Sequence, residues 1–208
     1  NNYKGISMDS TPFNIHRQLP NFILETFDPN KNDFSEITLE SIKKKKMWTV
    51  LFFYPADFTF VCPTELADLA NIHKTLVELG VEVVSVSTDT KHTHFGWIQA
   101  EQLLKNVKYQ MGADPTGNVS RMFGVYNEQK GQAFRGTFII HPGGVLVSSE
   151  INYNDVGRNA DELLRKVKAN IYIAEHPYEA CPAKWEEGDK TLKPGAKLVG
   201  KVYQALKK

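Results

Sequence analysis

Cysteine is scarce: Cys62 and Cys181 are the only two in 208 residues, and no Cys-x-x-Cys pair exists. Two cysteines exclude a disulfide-stapled scaffold, and without a Cys-x-x-Cys pair no four-ligand zinc site is expected. Surplus charge of either sign is also missing. Lys and Arg number 25 against 24 Asp and Glu, so no bulk field draws the chain to nucleic acid or an anionic membrane. Long hydrophobic runs are absent as well. The uncharged stretches Met47 to Ala56 and Gly136 to Ser149 fall short of the roughly 18 apolar residues of a spanning helix. The beginning, Asn1 to Ser7, lacks the apolar core and small-residue cleavage site of a secretory leader. No Gly-x-Gly-x-x-Gly follows a strand, so no nicotinamide or flavin is expected by that route, and no cofactor is called for. Two unpaired thiols in a chain of this kind point to a reducing compartment, the cytoplasm.

What is present is enough for one sizeable core, at 41% hydrophobic and 11% aromatic residues. Asp28 to Asp33, Asp-Pro-Asn-Lys-Asn-Asp, is turn chemistry, and Lys43 to Lys46 reads as a solvated turn. Trp48 to Tyr54 is aromatic, β-branched and almost unbroken in apolarity, the pattern of a strand covered on both faces, and Pro55 ends it. Pro63 suits the start of a helix whose apolar face takes Leu66, Leu69, Ala70, His73, Leu76 and Val77 before Gly80 closes it. Val81 to Thr88 is a second strand, and helical patterning returns between His94 and Lys105. Arg135 to Ile140 and Val145 to Ile151 flank His-Pro-Gly-Gly as a hairpin, and Asn159 caps a helix with Ala160, Leu163, Leu164, Val167 and Ile171 on one face. A βαβ unit followed by ββα predicts an α/β, thioredoxin-like fold in residues 1–181. Residues 182–208, with seven lysines, three acids and interspersed Pro and Gly, read as a C-terminal arm.

This layout puts Cys62 at a helix N-terminus, where unpaired N–H groups and the helix dipole welcome a negative sulfur. The loop before it, Pro55-Ala56-Asp57-Phe58-Thr59-Phe60-Val61, supplies a hydroxyl three residues upstream and a proline that shields and stiffens. The histidines read as surface or helix residues, since none adjoins Cys62 as a base.

The whole segment Phe52 to Glu65, Phe-Phe-Tyr-Pro-Ala-Asp-Phe-Thr-Phe-Val-Cys-Pro-Thr-Glu, carries Pro-x-x-x-Thr-x-x-Cys, the active-site signature of the peroxiredoxins. The chain resembles the typical two-cysteine members, and among them the C subunits of bacterial alkyl hydroperoxide reductases. The likeness runs from about Trp48 to Lys201, with supporting segments at Ser85 to Thr90, Gly112 to Gly117, Arg135 to Phe138 and His176 to Trp185. It implies that Cys62 is the peroxidatic cysteine, oxidised to a sulfenic acid by hydrogen peroxide or alkyl hydroperoxides. Thr59 would hold the peroxide, Arg135 would pair with thiolate and oxygen, and Pro55 would shield the pocket. Glu65 and Arg158 would orient Arg135, and Cys181 would be the resolving cysteine, closing a disulfide between two subunits. The same resemblance implies antioxidant defence, a homodimer, a ring of five dimers with Phe58 and Thr88 to His94 near the dimer-dimer contact, and an external disulfide reductase, either an NADH-linked flavoprotein or thioredoxin. A thiol-disulfide oxidoreductase would share the fold but needs the Cys-x-x-Cys that is missing here.

Overall fold

The computed structural model describes residues 15–207, so the reading of Asn1 to Ser7 lies outside the described residues. The chain divides into two compact units, the break falling between Arg158 and Asn159.

In the first unit a hairpin of β1 (Ile23–Asp28) and β2 (Asp33–Thr38) turns on the Asp-Pro-Asn-Lys-Asn-Asp segment, where the Asp28 carboxylate accepts from the Asn30 and Lys31 backbone N–H groups. A short helix α1 (Leu39–Lys45) follows and corrects the expectation at Lys43 to Lys46. The lysines are solvated, but three of them form the last turn of a helix, and Lys46 closes it in the left-handed conformation. Thr38 and Ser41 exchange side-chain and backbone hydrogen bonds at the start, while Leu39 and Ile42 anchor the buried side. Lysines at the negative end of the helix dipole are favourably placed.

Strand β3 (Trp48–Phe53) is buried along its whole length. It pairs in parallel with β4 (Val81–Ser87), the helix α2 (Cys62–Glu78) crossing between them, and antiparallel with β8 (Arg135–Ile140). Helix α3 (Lys91–Ala100), strand β5 (Gln110–Ala113), helix α4 (Asn118–Met122) and the small ribbon of β6 (Tyr126–Asn127) with β7 (Gln132–Ala133) complete the middle of the unit. β8 turns through His-Pro-Gly-Gly into β9 (Leu146–Asn152). The seven-stranded sheet runs β2-β1-β5-β4-β3-β8-β9, an α/β, thioredoxin-like arrangement with β3 and β4 innermost. Leu51, Phe53, Val84, Val86, Phe138 and Ile140 from the three inner strands join one core, each burial contributing about 1.5–3 kcal/mol.

The inward face of α2 keeps three of the six residues of the expected stripe. Leu66, Leu69 and Leu76 are buried as expected, but Ile72 is buried where His73 was expected, Ala70 and His73 are half-buried, and Val77 is 50% exposed. Cys62 itself points inward at the first position of the helix, and a 3.6-residue period counted from Cys62 selects Glu65, Leu66, Leu69, Ile72 and Leu76.

The second unit begins with α5 (Ala160–Glu175), whose cap Asn159 accepts from the Asp161 and Glu162 N–H groups. Ala160, Leu163 and Val167 are buried, and Leu164 and Ile171 are partly so. The stretch beyond Pro182 contains ordered pieces. Trp185 is 2% exposed, Ala180 bridges Leu192, and a 3-10 turn at Ala196–Leu198 precedes the short helix α6 (Val202–Leu206). Among the described residues no helix is long and apolar enough to cross a membrane.

Candidate active site

The buried strand β3 delivers the chain to Tyr54, whose N–H still bonds Val86 O, and Pro55 then stops the ladder because it has no N–H to give. The following loop folds on itself where the Thr59 hydroxyl donates to Ala56 O at 2.8 Å. That bond uses the hydroxyl's proton and leaves its lone pairs free to accept. Pro55 is buried, whereas Phe58 and Phe60 are 57% and 93% exposed. Cys62 opens α2, behind a cap residue, Val61, that offers no side-chain acceptor to the first-turn N–H groups. The sulfur is free, and Cys62 is 1% exposed.

Arg135, the first residue of β8, brings Nη1 to 3.5 Å from Cys62 Sγ and 2.5 Å from Glu65 Oε2, while its Nε donates to Asn154 O at 2.7 Å. Glu65 sits one turn beyond Cys62 on the same side of α2. Its carboxylate also accepts from Arg158 through the backbone N–H, Nε and Nη2, at 2.8, 2.8 and 3.0 Å. The Arg158 guanidinium lies 3.4 Å over the Phe52 ring, and its Nη1 donates to Gly136 O and Thr137 Oγ1. Cys62, Glu65, Arg135 and Arg158 thus form one buried constellation, and Glu65 aims both guanidiniums. Two guanidiniums against one carboxylate leave one positive charge around the sulfur, which a thiolate would balance.

Burial raises the Glu65 carboxyl, but the hydrogen bonds and charge of Arg158, with Arg135 behind them, outweigh burial and hold it below the usual carboxylate value. A carboxyl so depressed stabilises the fold fully above the ordinary glutamate range, and that contribution disappears as pH falls through the folded value. We therefore expect Glu65→Gln to cost about 3–5 kcal/mol at neutral pH, because two buried guanidiniums lose their counter-charge. Urea unfolding checks this, and the gap between the two proteins should narrow in acid.

Sequence reasoning missed His94. It is completely buried, with Nδ1 at 2.7 Å from Asp57 Oδ2 and Nε2 donating to Gly112 O at 3.1 Å. Tyr54 OH donates to Asp57 Oδ1 at 2.7 Å, and the Asp57 N–H donates to Asp89 Oδ2 at 2.8 Å. These bonds fasten the start of the loop that carries Thr59. Only the i, i+3 pairing of His94 with buried Trp97 on α3 hints at this from sequence. Cys181 lies in the second unit, partly buried and free.

The model of the AhpC/TSA family matches residues 15–149, well over half of the chain. The chain belongs to that family. A second model, the C-terminal domain of 1-Cys peroxiredoxin, matches residues 172–203, a stretch that in this chain includes Cys181. Alkyl hydroperoxide reductase C of Staphylococcus aureus is 49% identical over 188 residues, covering 90% of this chain and 98% of the relative. The protein of the same name from Staphylococcus haemolyticus is 47% identical over the same length and shares. Among solved structures, Enterococcus faecalis AhpC superposes with a TM-score of 0.76 at 42% identity, over 81% of this chain and 98% of that one. The reduced 2-Cys peroxiredoxin of Plasmodium vivax gives 0.84 at 28% identity, over 91% of this chain and all of that one. Both the family and the fold expected from the Pro55-to-Cys62 signature therefore stand.

Proposed function

We propose that this chain is a thiol-dependent peroxidase, an oxidoreductase of the peroxiredoxin type, that uses Cys62 to reduce hydrogen peroxide and alkyl hydroperoxides. The observation that carries the reading is the Arg135 Nη1 to Cys62 Sγ contact inside a pocket with one unbalanced positive charge. The thiolate attacks the terminal peroxide oxygen, an S–O bond forms as the O–O bond breaks, and the leaving alkoxide takes up a proton to become an alcohol, or water from hydrogen peroxide. Arg135 stabilises the charge that moves from sulfur to the departing oxygen. Thr59 accepts from the peroxide O–H, and Pro55 keeps bulk water out of the loop.

The resulting sulfenic acid then meets the Cys181 thiol of a second subunit. The S–S bond forms, the S–O bond breaks, and the oxygen leaves as water with the thiol proton. Two electrons from an external disulfide reductase, an NADH-linked flavoprotein or thioredoxin, return both thiols. Residues 1–181 would then be the peroxidase domain and residues 182–208 its arm, working as a homodimer and a ring of five dimers. The two free thiols favour a reducing compartment, the cytoplasm, and a role in antioxidant defence and redox homeostasis.

Single-turnover stopped flow tests the roles. Cys181→Ser should reduce one equivalent of peroxide at the wild-type rate and then stall until a small thiol is added. Continued turnover without that thiol would take Cys181 out of the cycle.

A further inference from the structure

Cys181 is fastened by its neighbours within the second unit. Glu179, two residues before it, accepts on one carboxylate oxygen from Tyr172 OH at 2.8 Å and from the Thr191 hydroxyl. Lys193 lies 3.8 Å from the other oxygen. Tyr172 stands on the last turns of α5, stacked on His176 at 4.0 Å and tilted against Trp185 at 5.0 Å. Thr191 lies beside Leu192, whose backbone exchanges both hydrogen bonds with Ala180, the residue between Glu179 and Cys181. One carboxylate therefore ties the end of α5, the Cys181 segment and the returning stretch of residues 191–193 into a single knot.

A disulfide requires Cα atoms within about 7 Å and matched Cβ directions. Cys62 is buried in the first turn of a helix, so the sulfurs meet only when the Cys62 segment moves. Cys181 is half-buried, and the contacts that hold its segment include those of Glu179. We propose that Glu179 is a latch: by holding the hydroxyls of Tyr172 and Thr191 it fastens the Cys181 segment and limits how fast Cys181 reaches the sulfenic acid. The proposal rests on Cys181 being the resolving cysteine and adds the positioning residues that set the rate of that step. Electrostatics act in the same direction. Burial pushes the Cys181 thiol up, Arg165 on α5 opposes, and the Glu179 charge, itself met by Lys193 and His176, adds to the rise. Glu179 thus acts on Cys181 in two separable ways, by holding its segment and by a charge that disfavours the thiolate.

Two variants separate release from charge. Tyr172→Phe with Thr191→Val removes both hydroxyls, keeps the ring that stacks on His176 and leaves the carboxylate in place. Glu179→Gln removes the charge and weakens the two bonds, since its amide oxygen can still accept from both hydroxyls. Rapid-quench single turnovers, read on non-reducing gels and by intact mass, follow Cys62 oxidation and disulfide formation separately. The double variant should form the disulfide about five- to thirty-fold faster than wild type, the scale of one to two lost net hydrogen bonds, with Cys62 oxidation unchanged. Glu179→Gln, with the two bonds weakened and the charge gone, should also be faster than wild type, and its disulfide step should shift to lower pH. Both should accumulate less of the chain two oxygens heavier at millimolar peroxide, because resolution then outruns a second oxidation. A double variant with an unchanged or slower disulfide step overturns the latch, even if Glu179→Gln is faster. If Glu179→Gln fails to fold, the double variant alone decides. Were the wild-type disulfide to persist in Cys181→Ser, the underlying assignment of the resolving cysteine would fall first, and the latch with it.

Discussion

Cys62→Ser should bring peroxide consumption down to the uncatalysed background while leaving the fold intact. The exchange swaps sulfur for oxygen at the first position of α2, where the side chain stays small and Arg135 Nη1 remains available as a donor. Stability should therefore change little. The chemistry cannot survive, because a serine hydroxyl is not ionised near neutral pH and has no counterpart of the sulfenic acid to carry the oxygen onward. The sequence has one other cysteine, Cys181, assigned here to resolution, and the groups that touch the Cys62 sulfur, or that Arg135 and Glu65 hold beside it, are guanidinium and carboxylate. A peroxide-consumption assay with matched thermal melts checks both halves. Residual catalysis within tenfold of wild type would require a different oxygen acceptor.

Arg135→Ala should slow the oxidation of Cys62 by about 10² to 10³, the usual loss when a fixed donor is removed from a developing charge. The fold should tolerate this change better than the loss of Glu65. Without Arg135, Glu65 keeps its paired contact with Arg158, and the buried charges then cancel. Without Glu65, two guanidiniums that are each 4% exposed lose the carboxylate they share. The two variants should thus separate by assay: Arg135→Ala as a kinetic defect with a near-normal urea midpoint, Glu65→Gln as a stability defect first. Stopped-flow oxidation of reduced protein measures the rate constant directly, and an unchanged value in Arg135→Ala would remove this arginine from the oxidation step.

The parts of the fold that sequence made legible are those whose cause is local. The unbroken apolar run at Trp48 to Phe53 fixes a central strand, Pro and Gly punctuate α2, and Asn159 with Glu162 marks the start of α5. Elements with little periodicity were harder to see. Strand β5 has four residues, and α1 buries only Leu39 and Ile42, so its lysines looked like a turn. The stretch after Pro182 is basic and rich in Pro and Gly, yet Trp185 is buried and Arg165 donates to its carbonyl.

The site divides along the same line. The Pro55-to-Cys62 loop is contiguous and could be read directly. Glu65 meets Arg135 and Arg158 across 70 and 93 positions of sequence, and no spacing rule spans such distances, so only the resemblance to a family pointed to them. His94 escaped both routes. Beyond its i, i+3 spacing to Trp97, a histidine on a helix carries no sign that Asp57, Tyr54 and a backbone carbonyl of β5 will enclose it, and tertiary contact decides that.

If Cys62 takes oxygen from peroxide and passes the oxidation to Cys181 of another subunit, one equivalent of hydrogen peroxide should cross-link the fully reduced chain. After thiol blocking and non-reducing denaturing electrophoresis, the 23.5 kDa chain should shift to a band of twice that mass, added thiol should reverse the shift, and neither Cys62→Ser nor Cys181→Ser should show it. A wild-type chain that consumes the peroxide yet stays at its single-chain mass with both thiols still open to the blocking reagent would contradict it.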